Sequence, residues 1–235
     1  MTMLIAAAAT FLAIHILISG TKVRDAIVAR LGEGAYLALF SLASLGVIAW
    51  MCIAYNKAQA GADDPVWYDL GDVRDLGLVA VLLAFWLGVQ GLLLPNPTSL
   101  KQEGAAAKAG TIRGVLRITR HPFLWGVAIW AAFHLAANGD EASVILFGAF
   151  LVLALLGTVA IDAKRRRKMG DAWSAFAAKT SSIPFAAVIA GRNTLNIGES
   201  FGWRAWLAIL LFVVVLVAHV HLFGVSPFPG GVVPI

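Results

Sequence analysis

Six stretches of this chain stay apolar for roughly the length of a bilayer crossing: Met3–Gly20, Tyr36–Tyr55, Leu76–Leu94, His121–Asn138, Ser143–Ile161 and Trp203–Phe223. A hydrocarbon core about 30 Å thick is spanned by roughly 20 such residues in a helix. The pattern therefore predicts an all-α fold, a polytopic membrane bundle of six transmembrane helices. Between them, Gly32-Glu33-Gly34 breaks a short basic link, and Pro95-Asn96-Pro97 stops the third span because proline cannot continue a helix. Beyond the fifth span, a segment over 164–190 alternates cations with Trp173 and Phe176 and is expected to lie amphipathically on the cytoplasmic membrane surface. No internal repeat is visible, so the expectation is one integral-membrane domain over 1–235.

Composition agrees with the pattern: 60% of residues are hydrophobic and 13% charged, where soluble domains carry about 25% charge. The net charge of +5 raises the question of nucleic acid, and the positions of the charges answer it. All lysines and arginines except Lys57 and Arg74 lie in Thr21–Ala35, Pro95–Arg120 or Asp162–Trp206, whereas the intervening loops hold Asp63, Asp64, Asp69, Asp72, Asp140 and Glu141. The positive-inside rule then puts three basic loops in the cytoplasm and both termini on the outer side. The cations report topology, and no nucleic-acid partner is expected; membrane lipid is. In particular, the run Lys164–Lys168 is expected to meet anionic headgroups. Met1–Gly20 has no cations before its apolar stretch, unlike a signal peptide, and is read as a retained first helix. Cys52, the single cysteine, is read as a packing residue.

Ionisable groups inside lipid are costly and are candidates for function, which directs attention to the histidines. His121 and His134 lie on the same predicted helix, about 140° apart around the axis and roughly 20 Å apart along it, too far to share one small metal ion. His134 shares its face with Trp130, Ala131, Ala137 and Asn138. The alanines leave room for a flat cofactor such as a haem, held by this imidazole and a second one from another helix. Depth counted from Lys22 and Arg120 favours His219 as the partner of His134, with His15 also within reach; His121 stands beside His219 as an alternative ligand to the iron.

The first-helix His15 followed by a basic loop, the run Leu39-Phe40-Ser41-Leu42, Arg120-His121-Pro122 and the later Trp130 and His134 resemble the NnrU family. These are bacterial membrane proteins linked to nitrite and nitric oxide reduction, related to the 15-cis-zeta-carotene isomerases. The resemblance covers most of Met1–Ile161. It implies a multi-pass protein of the bacterial inner (plasma) membrane that binds haem b, with redox or cis–trans isomerase-like activity on a small or hydrophobic substrate. Carried over by motif, it makes His15 and His134 the axial ligands, with Trp130, Ala131 and Asn138 around the cofactor. The isomerases carry a Cys where this chain has Ala131, a departure that removes a switchable thiolate ligand.

Arg120-His121-Pro122, Gly126, Asp162 and the Trp173–Pro184 segment are also similar to membrane methyltransferases that use S-adenosylmethionine. Leu124 and Ala163 stand where that motif has a tyrosine and a second acid. On that comparison the alternative functions are a methyltransferase centred on Arg120 and His121, or an accessory subunit without catalysis. With the cofactor motif eroded, Arg120 would sit at the interface and His121 would cap the helix that Pro122 begins.

Overall fold

The computed structural model describes residues 1–19, 21–61 and 63–228, and among these the chain is helical with no strand. The expected helix end at Gly20 and the last residues of the Pro- and Gly-rich tail lie outside the described residues. Among the described residues four helices are long and apolar enough to cross a membrane, or five if the bent pair Thr2–Ile18 and Lys22–Leu31 is one span: α3 (Glu33–Gln59), the span Val73–Leu93 containing α4 (Gly77–Leu93), α7 (Glu141–Met169) and α10 (Trp203–Phe223). The other two expected spans are present as helices but are shorter. The first is α1 (Thr2–Ala13), which continues as a π-helical turn over Ile14–Ile18 and is followed by α2 (Lys22–Leu31). The other is α6 (Pro122–Ala137), whose 16 residues reach about 24 Å. The remaining helices are short: α5 (Val115–Ile118), α8 (Asp171–Ala178) and α9 (Ala186–Ile189).

The chain divides into two compact units, one of Met1–Gly71 with His134–Leu153 and one of Asp72–Phe133 with Ala154–Ile235. In the first, α1 packs on α3. Leu4, Ala7, Ala8 and Phe11 are buried, a one-sided stripe at helical spacing whose small members allow close approach. The outer loop closes onto the start of α7. Val66 bridges Asp140, and the Trp67 amide donates to the Gly139 carbonyl at 2.7 Å. The carboxylates of Asp64 and Asp140 accept from the Ala142 and Ser143 amides at 3.0 and 2.8 Å, satisfying N–H groups that a helix start leaves unpaired. Cys52 is exposed rather than packed.

In the second unit, α4 lies against α10 and against the start of α6, and glycines set the second approach. A Cβ on Gly91 would stand 2.4 Å from the Phe123 nitrogen, and one on Gly126 would stand 2.6 Å from the Ala84 carbonyl oxygen. Backbone meets backbone there because neither helix interposes a side chain. Two expectations about 164–190 are corrected. α7 continues as helix through the cations to Met169, since lysine and arginine are good helix formers. Trp173 and Phe176, expected at the membrane surface, are buried at 2% and 3% exposure, so the apolar face of α8 packs on protein instead of lipid.

Candidate functional site

A buried polar cluster lies in the second unit, and Asp162 is its hub. The Arg120 Nε donates to both Asp162 oxygens at 3.0 Å and another guanidinium nitrogen also reaches the carboxylate, while the His121 Nε2 donates to Oδ1 at 2.7 Å. Arg120 also donates to the Thr180 carbonyl at 3.3 Å and stacks its guanidinium 5.6 Å from the Trp173 ring. The backbone is equally tied. The Arg120 amide donates to the Ser181 carbonyl at 2.9 Å, and the Arg120 carbonyl accepts from Asn96 and Thr98 at 3.1 and 2.9 Å. Thr119 Oγ1 and Trp125 Nε1 both donate to the Ser182 carbonyl at 2.7 Å. His121 holds the position before α6, where its carbonyl accepts from the Trp125 amide at 3.0 Å, but its side chain does not cap the helix. Its imidazole is buried against Asp162, with Nδ1 lacking a hydrogen-bond partner, and Thr119 Oγ1 receives its amide at 3.2 Å.

Two ion pairs flank this hub. Arg165, counted from the sequence among cations facing lipid, is buried instead; it pairs with Glu103 and donates to the Ser99 carbonyl at 2.6 Å. Lys168 reaches the same carboxylate at 2.9 Å. Burial opposes the Glu103 charge, but hydrogen bonds from Lys168 and Arg165 outweigh it and hold the carboxyl at about 2. Arg117 grips Glu199 with two nitrogens at 2.7 and 3.0 Å. The hydrogen bonds from Arg117 and from the Gly114 amide keep Glu199 below the usual carboxylate range, and the same pairing raises Arg117. Through their bonds to Asp162, Arg120 and His121 clamp the start of α6 to the end of α7.

His15 and His134 both fall in the first unit, where each ring packs on phenylalanines. The His134 ring lies 4.9 Å from Phe147; the His15 ring lies 4.6 Å from Phe11, which in turn lies 5.0 Å from Phe150, and 5.3 Å from Phe40. Phe147 and Phe150 are neighbours on one face of α7, so this face receives both histidine-bearing helices. His15 sits in the π-helical turn, a distortion concentrated at functional sites. Its Nδ1 contacts the Phe11 carbonyl at 2.8 Å. A carbonyl only accepts, so Nδ1 carries the proton and Nε2 presents a lone pair.

The other sequence candidates divide. Asn138 donates to the His134 carbonyl at 2.8 Å and so extends its helix. Trp130 is partly buried and Ala131 is fully buried, so the small side chain at 131 is in contact with protein. His219 belongs to the second unit, where its Nδ1 donates to the Val225 carbonyl at 2.9 Å. Sequence reasoning missed the role of Asp162 as a joint partner of Arg120 and His121. The available signal was a lone acid at the end of an apolar run, just before five cations.

The family described as NnrU protein matches residues 3–227. Among curated proteins, the chain is similar to the chloroplastic 15-cis-zeta-carotene isomerase of Zea mays, 34% identical over 169 residues, which cover 70% of this chain and 44% of that protein. It is also similar to the Arabidopsis thaliana protein of the same description, 27% identical over 170 residues, covering 70% of this chain and 45% of that protein. The chain therefore spans less than half the length of these relatives. No solved structure matches it. With the family match running over nearly the whole sequence, the chain belongs to the NnrU family.

Proposed function

We propose that this membrane protein catalyses cis–trans isomerase-like chemistry on a hydrophobic, conjugated substrate drawn from the bilayer, with haem b held by His15 and His134. The observation that carries the reading is the state of His15: its Nδ1 proton is fixed on the Phe11 carbonyl and its Nε2 is left as a ligand. Metal-bound histidines are oriented in this way, by donating the other ring nitrogen to a carbonyl or carboxylate. Similarity to the two isomerases supports the reaction class. The donor type suits the cofactor, since imidazoles are carried on separate helices, one beside Phe11 and Phe40 and the other beside Phe147. When bound there, haem iron supplies reversible electron exchange with a conjugated double bond. The protein's share is to orient the two rings and to exclude water with the phenylalanines beside them. The lack of a cysteine at Ala131 leaves histidine as the ligand type on α6.

The same reading places the chain in a bacterial inner membrane with six passes and both termini outside, and allows a link to nitrite and nitric oxide metabolism. It is tested by purifying the protein in detergent after haem supplementation. The expected result is a Soret band that His15→Ala and His134→Ala each shift or abolish while His219→Ala leaves it intact, together with conversion of a cis polyene by the unaltered protein. A colourless protein, or a band indifferent to both ligand substitutions, refutes the haem assignment. A coloured protein that leaves the polyene unchanged refutes the reaction.

A further inference from the structure

The second unit carries large apolar side chains in a place no span accounts for. Between the end of α8 at Ala178 and the start of α10 at Trp203, Ile183, Phe185, Ile189, Ile197 and Phe201 are exposed, Ile189 at 84%. This is the reverse of α8, whose aromatic residues face inward. A soluble protein does not normally leave such a cluster facing water.

Its backbone holds the cluster outward at a cost. Phe185 has φ of +64°, a left-handed conformation that an aromatic residue adopts only when its surroundings impose it. The Phe185 amide donates to the Ile118 carbonyl at 2.8 Å and the Ser181 hydroxyl accepts from the Ala187 amide at 2.9 Å. The first bond ties the strained residue to the segment before Arg120 and the second closes the turn around it, while Phe185 stays 44% exposed.

The segment also reaches bilayer depth. The Phe201 ring lies 6.2 Å from Trp86, and Trp86 is two turns, about 10 Å, inside the C-terminal end of α4. Arg204, at the start of α10, donates to the Leu93 carbonyl at 3.3 Å and lies 4.8 Å from the Trp203 ring, an arrangement suited to the headgroup level. Charge completes the pattern. From Lys164 to Arg204 there are cations at 164–168, 179, 192 and 204 and acids only at Asp171 and Glu199, and Glu199 is paired with Arg117.

We infer that residues 183–203 form an interfacial foot that inserts Ile183, Phe185, Ile189 and Ile197 among the acyl chains of an anionic leaflet, beneath headgroups held by Arg166, Arg167 and Lys179. The occupant is lipid, because the exposed apolar side chains lie in a segment with an excess of cations that leads directly into α10, a helix long and apolar enough to cross a membrane. This surface is independent of the histidines and of the proposed reaction.

The test uses the full chain with Cys52→Ser, reconstituted in phosphatidylcholine vesicles with and without phosphatidylglycerol. An environment-sensitive fluorophore is attached at Ile189→Cys, at Ile197→Cys and, as a reference, at Arg166→Cys. Both foot positions are expected to show blue-shifted emission, strong quenching by nitroxide-labelled lipid, and weak quenching by iodide present on both sides. Phosphatidylglycerol is expected to deepen this, and added salt to reduce the difference. Iodide quenching at both positions equal to that at Arg166→Cys overturns the inference. So does protection from iodide without quenching by nitroxide lipid, which signals a protein partner or a second copy.

Discussion

Replacing Asp162 by alanine removes the hub of the buried polar cluster, and the structure sets the size of the effect. Arg120 and Asp162 are only 13% and 14% exposed and the His121 side chain 1%, so solvent screens little of the interaction. Each hydrogen bond to a charged group contributes about 1.5–3 kcal/mol net, and the carboxylate receives them from both Arg120 and His121. The guanidinium left behind retains one carbonyl and the face of Trp173, an uncompensated charge of the kind whose exposure by breaking a buried pair costs about 3–5 kcal/mol. Alanine returns some helix propensity to α7, on the order of 0.5 kcal/mol, too little to offset the loss. For a chain of this size the loss corresponds to a fall of roughly 6–20 °C in melting temperature. Thermal unfolding in detergent, followed by loss of the monodisperse peak in size-exclusion chromatography, measures it. A double-substitution cycle with Arg120→Met isolates the pair: the double variant is expected to be more stable than the sum of the two single losses implies. A fall of only a degree or two for Asp162→Ala, or strict additivity with Arg120→Met, refutes the clamp.

Gly126→Ala is expected to destabilise by about 1–3 kcal/mol, because its Cβ would meet the Ala84 carbonyl oxygen at 2.6 Å and the Gly88 nitrogen at 2.8 Å, backbone atoms that cannot move aside singly; the same melting assay reads it, and an unchanged transition shows that α4 and α6 are not in contact. Glu103 supplies a pH dependence of known sign. Its folded value of about 2 lies below the ordinary 4.5, so the stability it contributes is fully present above about 4.5 and is lost as the pH falls from there toward 2. Melting temperatures measured across that window should fall less steeply for Glu103→Gln than for the unaltered chain, and parallel curves would show that the Arg165 and Lys168 pairing adds nothing.

How far the fold could be read from the sequence depends on which residues are asked. Apolar runs located α3, α4, α7 and α10 because a bilayer-length stretch without charges has few other uses. They misplaced ends wherever helix propensity and hydropathy part. Ile161 ends the apolar run of the fifth span, yet α7 continues to Met169, since nothing in Asp162-Ala163-Lys164-Arg165 opposes a helix. The periodicity of Trp173 and Phe176 correctly signals one apolar face, but periodicity cannot say whether that face meets lipid or protein; only the tertiary contact with Arg120 decides it. Pairing is less legible still. His121 and Asp162 are 41 residues apart, and no local rule joins them. The resemblance to methyltransferases did single out Arg120, His121 and Asp162 together, and the structure brings these three into contact.

The choice between His15 and His219 as the proposed second ligand turns on the same distinction. Depth counted along ideal helices treats each histidine as a height above a flat interface, and by height alone His219 matches His134 better. Height ignores which helices pack together. α1 and the start of α7 belong to one unit with His134, and within it the His15 ring meets Phe11 and Phe40 and the His134 ring meets Phe147; His219 directs Nδ1 to Val225. The π-helical turn offers a test. Widening the helix over Ile14–Ile18 rotates every later side chain relative to an ideal α-helix, so the turn sets how Ser19 and α2 stand relative to His15. Deleting one residue of Ile16–Ile18 restores a regular helix and is expected to rotate Ser19 and α2 while His15 keeps its bond to Phe11. If the proposed ligation is right, the Soret band survives that deletion and is lost in His15→Ala, and a band indifferent to His15→Ala excludes His15 as the ligand.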